Sequence, residues 1–236
     1  SGPLILAQHF LGSSGDVDLL YDLLLHVATA VAVLIYFRRD IIQLWHGLAQ
    51  RSTLAQGVFA GRERQALQAI FLTLIPTAVL GILIERYFLS TLIRPEIVGG
   101  MLFTTGCLLW WGRGPTGDRS MAEMRPRDAL TIGLLQGVAI VPGISRAGAT
   151  ITVGFLLGFE RELAVRFSML ISVPTILGAT CLEMSKLNGG PLPPFGPYAA
   201  GMALAAVVGY LSIALILRLV REDHFHLFAW YLWPVG

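Results

Sequence analysis

The chain has 236 residues, 55% of them hydrophobic and only 14% charged, with mean hydropathy +0.68 and a formal net charge of +2. Soluble domains carry about 25% charged residues, so this chain has too few to coat a water-exposed surface of its size, and it reads as a single integral membrane domain. Disorder, collagen and coiled coil are excluded because apolar residues dominate without a triplet or heptad repeat, and a nucleic-acid partner is excluded because no soluble basic face exists.

A spanning helix needs roughly 20 apolar residues. The first long run is 19–37, closed by Arg38, Arg39 and Asp40, after which 38–64 reads as a loop. The second is 66–84, in which Pro76 predicts a kink. Residues 97–111 are shorter and end in Trp110 and Trp111, as an interfacial belt would. The runs 129–141 and 147–159 are each too short to cross, and Pro142-Gly143-Ile144-Ser145-Arg146 lies between them. Non-helical backbone at membrane depth is tolerated only where protein or a water-filled cavity satisfies it. The expected structure there is a re-entrant hairpin of two half-helices broken near the midplane. Residues 163–182 and 198–220 are long enough to span, and Phe225 to Gly236 is about half a span. Cys107 and Cys181, both inside apolar runs, are expected as small buried hydrophobes. Trp45, Trp110, Trp111, Trp230 and Trp233 are expected as interfacial anchors.

A shift of 146 positions places residues 1–29 on 147–175 without a gap. Gly2, Ile5, Leu11, Gly12, Leu24, Val27 and Thr29 then fall on Gly148, Ile151, Leu157, Gly158, Leu170, Val173 and Thr175. This divides the domain into repeat one, 1–111, and repeat two, 128–236. If 129–159 returns to its side of entry, the loops 38–64, 112–127, 159–166 and 218–224 share a face carrying 13 of the 17 basic residues. The opposite face holds three: Arg86, Arg94 and Lys186. This is a positive-inside pattern, and it makes the repeats inverted in topology. The expected fold is an all-α, polytopic helical bundle with inverted repeats and re-entrant helical hairpins. Because Ser1 aligns with Ala147, the partner of half-helix 128–146 is expected before Ser1, about 20 residues of it.

The remaining basic residue is Arg146, placed at the break. An intramembrane charge marks a functional site by default. Ser145, Gly148 and Thr150 surround it with hydroxyls and open backbone, and the half-helix from Ala147 points its N-terminus at the break. Free N–H groups, the helix dipole and a bidentate Arg together suit an anion, most simply a phosphate. The structural alternative is an Arg that caps carbonyls of the broken helix or pairs with an acid. Asp22 and His26, at i and i+4 in the first span, can act as a proton relay or as a buried packing pair. Gln136 can brace the hairpin through its amide, and His9 reads as solvated.

GLLQGVAIVPGISRAGATITVGFLLG, residues 133–158, resembles the second signature of the undecaprenyl pyrophosphate phosphatases of the bacitracin-resistance type. Ser1-Gly2-Pro3-Leu4 is similar to the tail of that family's first signature, and residues Tyr21 to His26 to its F-D-x-x-L-H segment. Ile75-Pro76 through Gly81 and the Phe225–Tyr231 end also fit. The resemblance implies a membrane hydrolase of the bacterial inner membrane that takes one phosphate from a polyprenyl diphosphate, recycling a lipid carrier for cell-wall synthesis. It implies that Arg146 and Ser145 are catalytic, that Gly143, Gly148, Thr150, Ser1 and Gly2 bind substrate, and that Asp22, His26 and Gln136 support them. It also implies a divalent cation, Mg or Ca, and an E-x-x-x-E pair, expected before Ser1, that either holds the cation or positions the attacking group. Pro3 stands where the family usually has a His, so that group's role is absent here or taken by another. The expected partners are the diphosphate lipid and membrane lipid, with room for a homodimer. The alternative function is a polyprenyl-phosphate flippase or transporter, since inverted repeats with hairpins are transporter architecture.

Overall fold

The computed structural model describes residues 19–49, 57–92, 94–114, 117–185 and 195–236. Among them the regular structure is helical, apart from one parallel bridge between Arg119 and Phe159. The helices are α1 (Leu19–Tyr36), α2 (Arg38–Ala49), α3 (Glu63–Tyr87), the single turn α4 (Leu89–Leu92) and α5 (Pro95–Trp111). They continue with α6 (Pro126–Val138), α7 (Arg146–Leu156), α8 (Arg161–Met184), α9 (Phe195–Arg221) and α10 (Phe228–Val235), with 3-10 turns at Met121–Glu123 and Phe225–Leu227. The chain is therefore an all-helical membrane protein in which α3, α8 and Ala199–Arg221 of α9 are each long and apolar enough to cross a bilayer. Of these, α8 is the central one: 44% of its most apolar window is buried by protein, against 22% in α3 and 17% in α9. The outward faces of α3 and α9, with Phe71, Val79, Leu204 and Leu211 exposed, suit a hydrocarbon solvent.

The seating of α6 follows from small residues and two threonines. Ala69, Thr73, Thr77 and Gly81, each four residues apart, form one buried stripe on α3. The facing stripe on α6 is Ala129, Gly133 and Gly137, and glycines at that spacing let helix backbones approach closely. A Cβ on Gly133 would lie 2.2 Å from the Thr73 carbonyl oxygen, so no side chain fits there. At this approach the Thr73 hydroxyl reaches the carbonyls of Ala69 at 2.8 Å and Ala129 at 3.1 Å, one on each helix. Thr77 repeats the pattern one turn on, to Thr73 at 2.8 Å and Gly133 at 3.0 Å.

The polar ends of the helices meet at one end of the bundle. Arg166 of α8 donates to Asp40 of α2 at 2.6 Å and to Glu162 at 2.7 Å, and Arg221 of α9 donates to Glu162 at 3.0 Å. Burial drives the Asp40 carboxyl above its ordinary value, against the pull of Arg166. Arg161 pairs with Asp223 beyond α9, Gln43 of α2 donates to Glu63 of α3, and Gln65 of α3 donates to the carbonyls of Ala122 and Met124. Arg119 completes the set. Its guanidinium donates to Asp128 at the start of α6 at 2.7 Å and to the Leu157 carbonyl at the end of α7 at 2.5 Å. The outer ends of α6 and α7 are thus held by one side chain, and Phe159 packs under its cationic face.

Two expectations need correction. Residues 38–49 form the amphipathic helix α2, burying Leu44 while Trp45 and Ile42 stay exposed. A search for unbroken apolar runs passes over such a helix because its polar face interrupts the run. Cys107 and Cys181 are exposed, on α5 and α8. A membrane helix can be apolar on its lipid face as well as its protein face, so an apolar run does not say which face meets protein. Among the tryptophans, Trp110, Trp230 and Trp233 gather in one cluster with ring centroids 5.5–6.0 Å apart, and Trp45, Trp111 and Trp230 are exposed.

Gly133→Ala should lower stability by about 1–3 kcal/mol, the usual cost of overpacking, because the obstacle is backbone. Gly100→Ala, whose Cβ meets nothing within 4 Å, should instead leave stability unchanged or raise it by up to about 1 kcal/mol. Thermal unfolding of both variants in detergent checks the contrast.

Candidate functional site

The stretch 139–145 between α6 and α7 is non-helical and is held from two sides, by α5 and α3. Gly143 has φ +99, a left-handed conformation that favours glycine, and a Cβ there would lie 2.4 Å from the Val98 carbonyl oxygen of α5. Thr105 of α5 donates to the Gly143 carbonyl at 3.2 Å, and its oxygen accepts from the Ser145 amide at 3.3 Å. One threonine therefore satisfies two backbone groups of the break. Ile140 faces α3, where it abuts Gly81.

Ser145 is the N-cap of α7, and its hydroxyl oxygen accepts from the Gly148 amide at 3.1 Å. The side chain is exposed, and as an acceptor it keeps its own proton for donation. The amides of Arg146 and Ala147 have no backbone acceptor among the described residues, as expected of the first turn of a helix. Arg146 itself is half-buried and makes no hydrogen bond or ion pair with any described residue. The capping and pairing arrangements that would make it structural are not found among those residues. Gly148 is buried between Ser145 and Leu109. Thr150, one turn below, is buried with its hydroxyl donating to the Arg146 carbonyl at 2.8 Å and lying against the Ser168 hydroxyl of α8.

Ser145, Arg146, Gly148 and Gly143 therefore lie together at the mouth of α7, and Thr150 lies behind them against α8. Gln136 sits on α6, buried, and donates to Thr175 of α8 at 2.5 Å. His26 is half-buried in α1, and its carbonyl accepts from the Thr29 hydroxyl. Ser1, Gly2, Pro3 and His9, and the side chain of Asp22, lie outside the described residues. Thr105 escaped the sequence reading, since a threonine inside an apolar run carries no signal until the fold brings it to the break. Arg119, read only as one basic residue of a polar loop, and Asp128 escaped it as the clamp on the outer ends of α6 and α7.

As a cation site the described residues offer little: no three His, Cys, Asp or Glu side chains cluster among them. The donor set present suits an anion instead, with a cationic guanidinium, a hydroxyl and open amides on one helix start.

Residues 1–236 match the family described as bacitracin resistance protein BacA. A protein of Syntrophotalea carbinolica named undecaprenyl-diphosphatase is 36% identical over 237 residues, covering 100% of this chain and 88% of its own length. One of the same name from Desulfosudis oleivorans is 36% identical over 254 residues, with the same coverage of 100% and 88%. A third, from Methanothermobacter thermautotrophicus, is 40% identical over 168 residues, 69% of this chain and 92% of its own. With the match running the full length and the helix-break site inside it, the chain belongs to the BacA family.

Proposed function

We propose that this chain is an undecaprenyl diphosphate phosphatase, a membrane hydrolase that cleaves the phosphoanhydride of the lipid to give the monophosphate and inorganic phosphate. The observation that carries this reading is Arg146: a half-buried cation without a described partner, at the open N-terminus of α7, in a chain whose relatives bear the name of that activity. No observation favours the transport alternative.

The residues divide by what their atoms can reach. Arg146 grips the diphosphate through its planar donors and neutralises charge on the phosphoryl group as the P–O bond breaks. The Ser145 hydroxyl, with its oxygen already engaged by Gly148, donates to a phosphate oxygen. The Arg146 and Ala147 amides add the helix-terminus donors. Gly143 seats the break against α5 and Gly148 lies under the Ser145 cap, so both glycines shape the phosphate site from beneath, and Thr150 with Ser168 fixes α7 from behind. The family resemblance assigns substrate contacts to Ser1 and Gly2 and a supporting role to Asp22 and His26, and Gln136 braces α6 through its bond to Thr175. A divalent cation, implied by the resemblance, would take its ligands from outside the described residues, among which no three His, Cys, Asp or Glu side chains gather.

The membrane arrangement belongs to the same reading. The polar end of the bundle, with Arg119, Arg161, Arg166 and Arg221, faces the cytoplasm of a bacterial inner membrane. The pair α6–α7 then enters and leaves on that face as a re-entrant hairpin, supported by the Arg119 clamp on both outer ends. An inverted repeat is supported by the contact pattern: a twofold that swaps α1 with α8 and α3 with α9 requires α1–α9 and α8–α3 contacts together, and both exist.

Arg146→Ala should cut phosphate release from the lipid diphosphate by about 100-fold or more, with Arg146→Lys intermediate because it keeps charge but loses the fork. The assay in detergent micelles, where no second compartment exists, reads hydrolysis and not transport; turnover near wild type in Arg146→Ala would overturn the assignment. Thr105→Val keeps the shape of the contact but removes both hydrogen bonds to the break. Its kcat should fall roughly tenfold, in line with the ~1–3 kcal/mol cost of unsatisfied buried groups, while KM changes little.

A further inference from the structure

An apolar furrow follows the seam between α3 and α8. Toward the polar end it opens as a cavity of about 210 Å³ between Ile70 of α3 and Leu170 of α8, beside Trp45 of α2. Past Pro174 it continues as a cavity of about 320 Å³ between Ala78 and Gly81 of α3 and Gly178 and Leu182 of α8. Pro174 forms a wall of both, so the two are stages of one path. From Leu67 to Glu85 along α3 the path covers roughly 27 Å at about 1.5 Å per residue, close to the ~30 Å of a hydrocarbon core.

Three observations connect this furrow to the site and make it more than loose packing. Ile140, on the same break as Ser145, forms part of its wall. Thr175 lines it from α8 while accepting the Gln136 hydrogen bond that ties α6 down. The third is a contrast between two seams. Ala32 is buried in the α1–α9 seam, where its Cβ lies 3.3 Å from where Gly209 would carry one. A Cβ on Gly178 meets nothing within 4 Å. The α1–α9 seam is closed there, and the α3–α8 seam is open.

The lining also selects the occupant. No cationic side chain of the described residues lines either cavity, and the far end holds the acidic Glu85, so an anionic phospholipid headgroup has nothing to anchor it. A hydrocarbon chain whose charged end is held elsewhere fits both facts. We propose that the α3–α8 furrow holds the polyprenyl chain of the diphosphate substrate while its headgroup sits at Arg146 and Ser145. This rests on the phosphatase reading above.

A Cβ at Gly178 meets nothing within 4 Å, so Gly178→Leu extends into the cavity and the protein should fold, which thermal unfolding in detergent checks. In micelles its kcat/KM on a C55 diphosphate should fall at least tenfold, since even one methylene in an apolar pocket is worth about 10–200-fold. On a C10 diphosphate it should stay within about twofold. Independently of turnover, a C55 diphosphate bearing a diazirine in its tail should label the 174–182 segment of the wild type, lose that label in Gly178→Leu, and be displaced by unlabelled C55 diphosphate but not by phospholipid. An unchanged C55-to-C10 ratio, an equal loss on both lengths, or displacement by phospholipid overturns the furrow assignment. A wild type that is labelled in 174–182 but hydrolyses neither length supports the furrow and overturns the phosphatase reading instead.

Discussion

The hydrogen bonds from Thr105 to the helix break are the constraint on which the site depends. A backbone that leaves the helix inside a membrane exposes donors and acceptors that lipid cannot satisfy. Thr105 meets a carbonyl at Gly143 and an amide at Ser145 with one hydroxyl, and its own helix supplies a further acceptor at Met101. This contact aims the start of α7 and leaves the next two amides open. Gly143 makes the contact feasible, because any side chain there would strike α5. The break is stable as a non-helical segment because α5 replaces the helical partners it lacks.

α3 supports this from the other side, and it does so with two seams of opposite character. Against α6 it is packed to the limit, with glycines where carbonyls pass and threonines bonding across the gap. Against α8 it leaves space. The difference lies in what each small residue meets: Gly133 and Gly137 meet bulk from α3 in Thr73, Pro76 and Leu80, whereas Gly178, which lines the same cavity as Ala78 and Ala179, has nothing within 4 Å of where its Cβ would be. Small residues on one helix close a seam only if the partner fills the room they leave. A tight seam fixes α6, and with it the break. A loose one admits a chain from the side.

The sequence showed the helical class and the break, because both follow from local rules. Long apolar runs mark spans, and a Pro-Gly pair with a charged residue marks a break. Residues 129–141 and 147–159 became α6 and α7 with ends shifted by about three residues, as helix ends commonly are. What was not legible depends on faces and distant neighbours. α2 was hidden because its periodicity, and not a run, makes it helical. The exposure of Cys107 and Cys181 was hidden because lipid and protein both accept apolar faces. Thr105, Arg119 and Asp128 carry no local mark, since their roles arise only where remote segments meet.

Arginine usage shows how the same residue type is sorted by its partners. Arg119 is held by a carboxylate and two carbonyls over an aromatic ring. Arg166 bridges two carboxylates, and Arg161 and Arg221 are paired within the same end of the bundle. Each of these charges is offset where it stands, so each can be explained by the joining of helix ends. Arg146 differs in every respect that matters. It is removed from that end by the length of α7, roughly 16 Å for 11 residues at about 1.5 Å each, and no described group offsets it. Taking a charge that far from the polar end without a partner costs free energy that the fold itself does not return. On the phosphatase reading, the substrate's diphosphate supplies the opposite charge. The open amides beside it and the exposed Ser145 hydroxyl are what a phosphate would need to complete the set.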